Sequence, residues 1–354
     1  MIIELGDEDH KKEISEDFTI TVAPDSDIKV YEKGIAGQTD YPCLCAKFDD
    51  NDEFIVATHS NGSIEIHEAD SCDYVCHLEP GEEESKKPVC TLAKWRPGAE
   101  PDAIIAVDIK GGIRRYSKNE EEEIASITPE DEDENRLFAL DYASDGKTFA
   151  TGGTDHFVRV YDDETMKLKV TLDPFYTKKP GHTNRIFSVA FNKTDPTMIA
   201  SGGWDSTVII HDIRQKGPVA GILGPYICGD AIDFTNWEVI TGSWRNDNQL
   251  QKWDTRTTEK TLDIEWDGDN FDTEDPVRIF SLTKSHNDSI NSFMVAGGGE
   301  GDELRVFNKD YTPVARISDV TRSIFTTDVA KHADAFLFSG GDGIIRVCKV
   351  IVYN

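Results

Sequence analysis

One short segment recurs seven times along the chain, and this repetition limits the folds that the chain can adopt. The clearest copy, SGGWDSTVIIHD, runs from Ser201 to Asp212. The segment from Thr151 to Asp162, TGGTDHFVRVYD, matches it at both glycines, the turn aspartate, the alternating apolar positions and the final aspartate. Weaker copies begin at Thr58, Ala106, Thr241, Ala296 and Ser339. Neighbouring copies lie roughly 40 to 55 residues apart, so the chain is a row of similar units.

Each unit has the sequence pattern of four β-strands. An apolar run such as Ile186 to Phe191 comes first, followed by a short second run, the Gly-Gly turn and a third strand. In that third strand Val208 and Ile210 alternate with polar or outward positions, as expected of a half-buried strand. A fourth run follows, for example Val219 to Leu223. Because one such unit cannot bury a face alone, the sequence predicts an all-β, seven-bladed β-propeller of four-stranded antiparallel blades.

Three motifs resemble those of the WD-repeat β-propeller family. They are the Gly181-His182 pair, the turn from Ser201 to Asp205 and the Trp253-Asp254 dipeptide. The resemblance extends from about residue 28 to the end of the chain. Only the fifth unit has a literal Trp-Asp, and only the fourth has Gly-His in its usual place, so the repeats are degenerate. The resemblance implies a propeller that binds other proteins. It does not specify which ones, since one such scaffold carries many functions.

The last unit lacks a fourth strand of its own. The run from Ile28 to Tyr31 precedes the first unit at the spacing of a fourth strand, and WD-repeat proteins commonly join their two ends in this way. We therefore predict that this run completes blade seven. Residues 15–354 are expected to form the propeller and residues 1–14 a flexible acidic tail. Phe18 to Val22 is a further strand candidate whose pairing the sequence leaves open.

His182, Ser201 and Asp205 have the composition of a catalytic triad. In WD-repeats the same positions form a buried chain of hydrogen bonds that ends at the tryptophan position, here His211. Thr151 and Asp155 repeat part of this set in the third unit, and Trp253 has the tryptophan position in the fifth. Since buried polar groups are normally hydrogen-bonded to one another, we expect a structural network, no catalytic residue and no enzymatic activity.

The sequence predicts no metal site and no cofactor. Cys72 and Cys76, with His67 and His77 nearby, have side chains that suit zinc, but no second pair follows at a useful spacing. The acidic segment that begins at Asp267 lacks the glycine at position six and the glutamate at position twelve of a calcium loop. The Gly-Gly pairs precede strands rather than helices, unlike a phosphate-binding loop.

The charge of the chain narrows the choice of partner. It has 37 Lys and Arg against 67 Asp and Glu, which gives a formal net charge of −30. This balance disfavours nucleic acids and anionic membranes, because each phosphate contact needs a cation from the protein. Seven cysteines and a start without a basic and then apolar segment predict a cytoplasmic protein, with the cytoskeleton, cilium and nucleus as further possibilities.

Against this acidic background, arginines recur just before the first strand of several units. In WD-repeat propellers this position opens onto the top face around the central channel, as does the residue before the turn aspartate. We therefore predict a partner-binding top face that takes an extended acidic or phosphorylated segment. The alternative is that these arginines only neutralise acidic neighbours such as Glu134 and Asp275. The predicted partner-binding residues are Arg136, Thr154, Arg185, Trp204, Trp244, Arg278 and Arg322.

Three functions remain open at this point. The first is a non-enzymatic interaction scaffold that uses this top face. The second is a structural subunit of a large cytoskeletal or ciliary assembly, held by the edge and loops of the propeller. The third is an acidic histone-binding or chaperone-like protein that captures a basic partner at acidic loops such as Asn119 to Glu123 and Pro129 to Asn135.

Overall fold

The structure is a computed structural model. It describes residues 2–4, 18–24, 26–78, 88–98, 102–127, 135–267, 271, 277–285, 292–332 and 334–352. These residues form seven β-sheets, and the first strands of the blades contact one another in order around a ring. The seven-bladed propeller predicted from the repeats is therefore confirmed. No helix in the described ranges is long and apolar enough to cross a membrane.

In each blade the strands follow one another from the central channel outward. Blade one comprises β4 (Cys43–Phe48), β5 (Phe54–His59), β6 (Ile64–Glu68) and β7 (Tyr74–His77). Blade two comprises β8 (Cys90–Trp95), β9 (Ala103–Asp108), β10 (Ile113–Ser117) and β11 (Glu122–Ile127). Blade three comprises β12 (Leu137–Tyr142), β13 (Thr148–Gly153), β14 (Val158–Asp162) and β15 (Leu168–Leu172).

Blade four comprises β16 (Ile186–Phe191), β17 (Met198–Gly203), β18 (Thr207–Asp212) and β19 (Gly217–Leu223). Blade five comprises β20 (Ile232–Thr235), β21 (Glu238–Gly242), β22 (Leu250–Asp254) and β23 (Glu259–Ile264). A single-turn helix, α1 (Pro174–Thr177), links blades three and four, and a 3-10 turn (Ile213–Gln215) follows β18.

Blade six comprises β24 (Arg278–Lys284), β25 (Met294–Gly299), β26 (Leu304–Phe307) and β27 (Pro313–Ser318), with β1 (Ile2–Glu4) and β2 (Thr19–Val22) added at its outer edge. Blade seven comprises β28 (Ile324–Val329), β29 (Ala335–Gly340), β30 (Ile344–Val352) and β3 (Ile28–Gln38).

The N-terminal strand closes the ring as predicted. β3 runs antiparallel to β30, with Ile28 opposite Val352 and Gln38 opposite Ile344. This pairing supplies the fourth strand that the last repeat lacks. β3 is therefore the outermost strand of blade seven, and its pairing with β30 ties the N-terminal segment to the last repeat.

The strand candidate at Phe18 to Val22 finds its place in blade six rather than blade seven. β2 pairs antiparallel with β27, and β1 pairs parallel with β2, so this sheet has six strands. Phe18, Ile20 and Val22 are buried in the same apolar cluster as Ile28 and Val30. The N-terminal segment thus holds two neighbouring blades together. The rest of the predicted tail lies outside the described residues.

The paired glycines of the repeat have a packing role between blades. A Cβ atom on Gly202 would lie 2.7 Å from Ile227 at the start of blade five, and one on Gly203 would lie 1.9 Å from the carbonyl oxygen of Arg185. Both separations are well below van der Waals contact. The Gly-Gly signature therefore reflects the close approach of the second strand to its own first strand and to the next blade.

Candidate functional site

The predicted top-face residues lie at the end of the ring where the innermost strands begin. The Thr154 amide donates to the carbonyl of Arg136, and the Trp204 amide donates to the carbonyl of Arg185, each at 3.1 Å. These bonds fix the residue before the turn aspartate beside the residue before the first strand. The same pairing therefore recurs from blade to blade and brings the predicted residues to one mouth of the channel.

Two of the arginines stack on the two tryptophans. The guanidinium of Arg185 lies 5.3 Å from the ring centre of Trp204, and that of Arg278 lies 6.0 Å from the ring centre of Trp244. Such cation–π contacts contribute about 0.5–1 kcal/mol at exposed sites. Trp204 is 37% exposed, so part of its indole faces solvent. The stacking holds each guanidinium in place over an indole ring, a geometry that leaves the hydrogen-bonding edge of a guanidinium pointing away from the ring.

The ion-pairing of these arginines differs. Arg278 contacts Glu300 at 2.8 Å and donates to Asn246 at 2.8 Å. Within the described ranges, Arg136, Arg185 and Arg322 make no ion pair with a carboxylate. The acidic neighbours considered from the sequence, Glu134 and Asp275, lie outside the described residues.

Arg136, Thr154 and Arg322 lie at the same mouth. Arg136 and Arg322 are exposed, and Thr154 accepts a hydrogen bond from the Arg136 amide at 3.0 Å. In blade seven the Gly341 amide donates to Ser323 rather than to Arg322. Arg322 is therefore displaced by one residue from the position of the other three.

His182, Ser201, Asp205 and His211 form one continuous chain of hydrogen bonds in blade four. The His182 Nδ1 donates to Asp205, Ser201 Oγ donates to His182 Nε2, and His211 Nε2 donates to Ser201 Oγ, each at 2.8 Å. Ser201 has no exposed surface, and His182 and His211 are buried. A substrate therefore cannot reach the hydroxyl, and the arrangement is that of a structural network.

The electrostatics of this network favour an uncharged His211. Burial and the neighbouring His182 lower the pKa of His211 to about 3. Burial is the largest single effect and tends to raise the pKa of Asp205, but the hydrogen bond and charge of His182 and the amides of Thr183 and Thr207 together lower the pKa of this carboxyl below its ordinary value. A neutral imidazole at His211 and a charged carboxylate at Asp205 match the direction of the hydrogen bonds.

The corresponding positions of two other blades vary the same scheme. In blade five the indole of Trp253 donates to Thr241 at 3.0 Å, which replaces the His211–Ser201 bond. In blade three Thr151 is buried, whereas Asp155 accepts from the Phe157 amide and pairs with Arg159 at 2.5 Å. Blades four and five therefore keep a side-chain bond between the second and third strands while changing its partners.

A charged layer inside the channel was not predicted from the sequence. Lys47 of blade one contacts Asp230 of blade five at 2.9 Å, across the ring rather than between neighbours. Lys94 of blade two contacts Asp141 of blade three at 2.9 Å and Asp230 at 3.8 Å. These ion pairs span the channel below its mouth. In the sequence, the only sign of this layer is a charged residue near the end of several first strands. The spacing of these residues does not show which of them form ion pairs.

Burial and attraction oppose each other in this layer. Burial alone would lower the pKa of both lysines, but the aspartates raise it above the ordinary lysine value. Burial would raise the pKa of Asp230, but Lys47 and Lys94 lower it to about 2. All three groups are therefore charged at neutral pH, and Asp230 stabilises both lysines in a poorly solvated setting.

Beneath this layer, at the other end of the ring, lies a cavity of about 370 Å³. Its walls carry Lys193, Lys284 and Lys331 together with Asp49 and Asp233. In the part of the chain that the structure describes, no group of three or more His, Cys, Asp or Glu side chains could hold a metal ion.

The comparisons with known proteins agree with this architecture. Residues 128–162 and 174–212, in blades three and four, match the model of the WD40 family, described as WD domain, G-beta repeat. A WD repeat-containing protein 91 homolog of Dictyostelium discoideum is 28% identical over 213 residues, which is 58% of this chain and 26% of that protein. The Protein lethal(2)denticleless of Drosophila melanogaster is 32% identical over 82 residues, covering 23% of this chain and 10% of that protein.

A third relative, the LEC14B homolog of Prunus armeniaca, is 26% identical over 133 residues, covering 36% of this chain and 26% of that protein. The chain thus spans about a quarter or less of the length of these relatives. With seven blades and two matched repeats, it is a seven-bladed β-propeller that contains WD40 repeats. Folds of this kind are generally scaffolds for protein interactions.

Proposed function

We propose that this propeller is a non-enzymatic scaffold that binds an extended acidic or phosphorylated segment of a partner protein at its top face. One observation carries the proposal: in a chain with a net charge of −30, arginines cluster at one mouth of the channel, and two of them stack on tryptophans there. Arginine binds carboxylates and phosphates through paired hydrogen bonds, and tryptophan and arginine dominate binding energies at interfaces.

The excess of negative charge over the rest of the molecule favours binding of an anionic partner at this mouth rather than elsewhere on the surface. Elsewhere on the surface an excess of Asp and Glu repels an acidic segment, and screening limits long-range effects to about 8 Å at physiological salt. A partner that reaches the mouth meets stacked guanidinium groups whose geometry is already fixed. The proposal places the protein in the cytoplasm, where such a partner would be met.

The test is capture of partners from cell extract by immobilised protein, followed by mass spectrometry. The double variant Arg185→Glu with Arg278→Glu is expected to lose the captured partner by at least about tenfold, because each reversal replaces attraction with repulsion. Its melting temperature should change little, because both side chains are partly exposed.

A matched control is Arg256→Glu. Arg256 also stacks on a tryptophan, Trp237, at 5.8 Å, but at the opposite end of blade five, in the segment that follows β22. This control is expected to keep the partner. If the double variant still captures the same protein as the wild type, the top face is not the binding surface.

A second candidate function, a subunit of a larger assembly held by its edge, is favoured by one exposed aromatic pair. Phe175 and Tyr176 of α1, between blades three and four, are 80% and 59% exposed. Large exposed aromatic side chains are typical of contact surfaces. Sedimentation of cell extract distinguishes this role. A Phe175→Ser variant would dissociate from a large particle only if this edge holds the protein in that particle.

A further inference from the structure

A β-bulge recurs at the same place in six of the seven blades. In blade four, Ile186 lies opposite Gly203 and Ser188 opposite Gly202, so the ladder skips Phe187. The first strands of blades one, two, three, six and seven show the same shift. We call the skipped residues the bulge ring; they are Leu44, Thr91, Phe138, Phe187, Phe280 and Phe325.

The bulge turns these side chains away from the core. Each member of the bulge ring is partly exposed, whereas the residues on both sides of it are buried. For Phe187 the flanking residues are Ile186 and Ser188, with 0% and 1% exposure. An extra residue in a strand is left out of the ladder and re-aims its side chain, so the bulge ring lines the channel just inside the mouth.

In blade five the equivalent residue is Cys228. The Trp244 amide donates to the carbonyl of Tyr226, as the Trp204 amide does to that of Arg185, which sets Tyr226 in the position of the arginine. Cys228 accepts a hydrogen bond from the indole of Trp204 at 3.1 Å. Blade five therefore contributes Tyr226 and Trp244 to the mouth, beside Trp204 of blade four.

The residue type in the bulge ring varies from blade to blade together with the presence of an arginine at the rim. Phenylalanine is found in blades three, four, six and seven, the same four blades that carry Arg136, Arg185, Arg278 and Arg322. Blades one and two have Leu44 and Thr91 there, with Pro42 and Val89 in place of an arginine. One side of the mouth therefore combines a cationic rim with aromatic walls, and at these positions the other side is neither cationic nor aromatic.

The aromatic rings on that side are in contact with one another. Phe138 and Phe187 stack at 4.9 Å, as do Phe187 and Trp204. The ring of Trp204 also stacks on that of Tyr226, with 6.5 Å between the ring centres. In blades six and seven, Phe280 lies 5.9 Å from Trp244 and 5.4 Å from Phe325. These rings form a crescent of apolar surface below the arginines.

The depth of this space is set by the charged layer. Lys47, Lys94, Asp141 and Asp328 each follow a member of the bulge ring by three residues. At about 3.3 Å per residue, the layer lies roughly 10 Å below the crescent. Because the Lys47–Asp230 pair crosses the channel, a chain cannot pass through it. A segment bound at the mouth can therefore insert a side chain above this layer but cannot thread through the ring.

We propose that the crescent takes a single bulky apolar side chain, Leu, Phe or Trp, of a segment whose neighbouring aspartates or glutamates pair with the arginines. This inference rests on the proposed function and specifies its partner. The charge of the rim selects the acidic residues, and the aromatic walls select the apolar one. Separately, either contact would be weak; together they define an amphipathic sequence.

The test is selection of a phage-displayed library of random twelve-residue peptides on the immobilised full chain. Enriched sequences are expected to carry a Leu, Phe or Trp with Asp or Glu close on either side. A selected peptide should bind the Phe187→Ala with Phe325→Ala variant about tenfold to a hundredfold more weakly, as expected for the loss of contact with a large apolar side chain. Leu44→Ala, in the same ring on the side without arginine, should change binding by less than about twofold.

Thermal unfolding shows whether the double variant is folded. The variant Phe187→Leu with Phe325→Leu keeps apolar walls and should show a smaller loss of peptide affinity. Enrichment of acidic peptides without an apolar residue, lost only with Arg185→Glu and Arg278→Glu, would overturn this inference and leave the proposed function standing. Enrichment of basic peptides, or of none, would overturn both.

Discussion

The mouth of the channel and the layer beneath it both contain charged side chains, but these do opposite things. At the mouth, Arg185 stacks on Trp204 and has no described carboxylate partner. About 10 Å below, Lys47 and Asp230 are matched to each other across the ring. Charges in the interior are paired because an unpaired buried charge costs free energy, whereas charges at the mouth remain available to bind a ligand. The comparison separates groups that stabilise the ring from groups available to a partner.

The largest expected effect comes from breaking the interior layer. Asp230→Ala leaves Lys47 and Lys94 without a shared carboxylate and should lower the free energy of unfolding by about 3–5 kcal/mol, the range for removal of one partner of a buried ion pair. Urea unfolding measures it. Asp247→Ala, which removes an exposed carboxylate paired with Arg245, should cost less than about 0.5 kcal/mol. Equal effects of the two substitutions would contradict the comparison.

The pH dependence of stability tests the interior of blade four. The pKa of His211 is about 3 in the folded chain, below the ordinary value of 6.5, so the folded state resists its protonation. Its contribution is complete above pH 6.5 and is lost as pH falls from 6.5 toward 3, at up to about 1.4 kcal/mol per pH unit. The variant His211→Trp, which copies the Trp253–Thr241 bond of blade five, should flatten this dependence.

Urea midpoints at pH 7, 6 and 5 give the slope directly. The exposed His156 supplies the control, since His156→Asn should leave the slope as it is in the wild type. If His211→Trp shows an unchanged slope, His211 is protonated as readily in the folded chain as in the unfolded one.

At the mouth, a loss of charge should change binding more than stability. Arg185→Ala removes one stacked guanidinium and should lower the free energy of unfolding by about 1 kcal/mol or less. The affinity for a peptide from the selection should fall about tenfold, the effect of losing one charge-assisted contact. Calorimetric titration and thermal unfolding of the same preparation compare the two losses. A larger effect on stability than on affinity would place Arg185 with the structural charges.

The smallest expected effect would sharpen the comparison within the mouth itself. Glu300 pairs with Arg278 at 2.8 Å, so the variant Glu300→Gln releases this guanidinium from its internal partner. Affinity for an acidic peptide should rise by about twofold to fivefold, and the increase should shrink at high salt. Titration at two salt concentrations measures it. A fall in affinity would mean that Glu300 positions Arg278 rather than competing for it.

Much of the fold was predictable from local pattern. The repeat predicted the number of blades, the alternation of Val208 and Ile210 predicted the third strand, and the position of Ile28 to Tyr31 predicted closure. The arginines that precede the first strands, such as Arg136, Arg185 and Arg278, also marked the mouth. What the pattern did not reveal is that the phenylalanines line the channel, because a β-bulge is a property of paired strands and one strand's sequence carries no sign of it.

The sequence by itself determined the features that depend on neighbouring residues: strands, turns, the Gly-Gly approach and the count of units. Only the tertiary structure decided which distant residues meet, such as Lys47 with Asp230 and β2 with β27. The physical reason is that strand pattern arises from short-range periodicity, whereas partners across a ring are chosen by closure of the whole chain. Ion pairs and added strands of that kind exist only once seven blades have met.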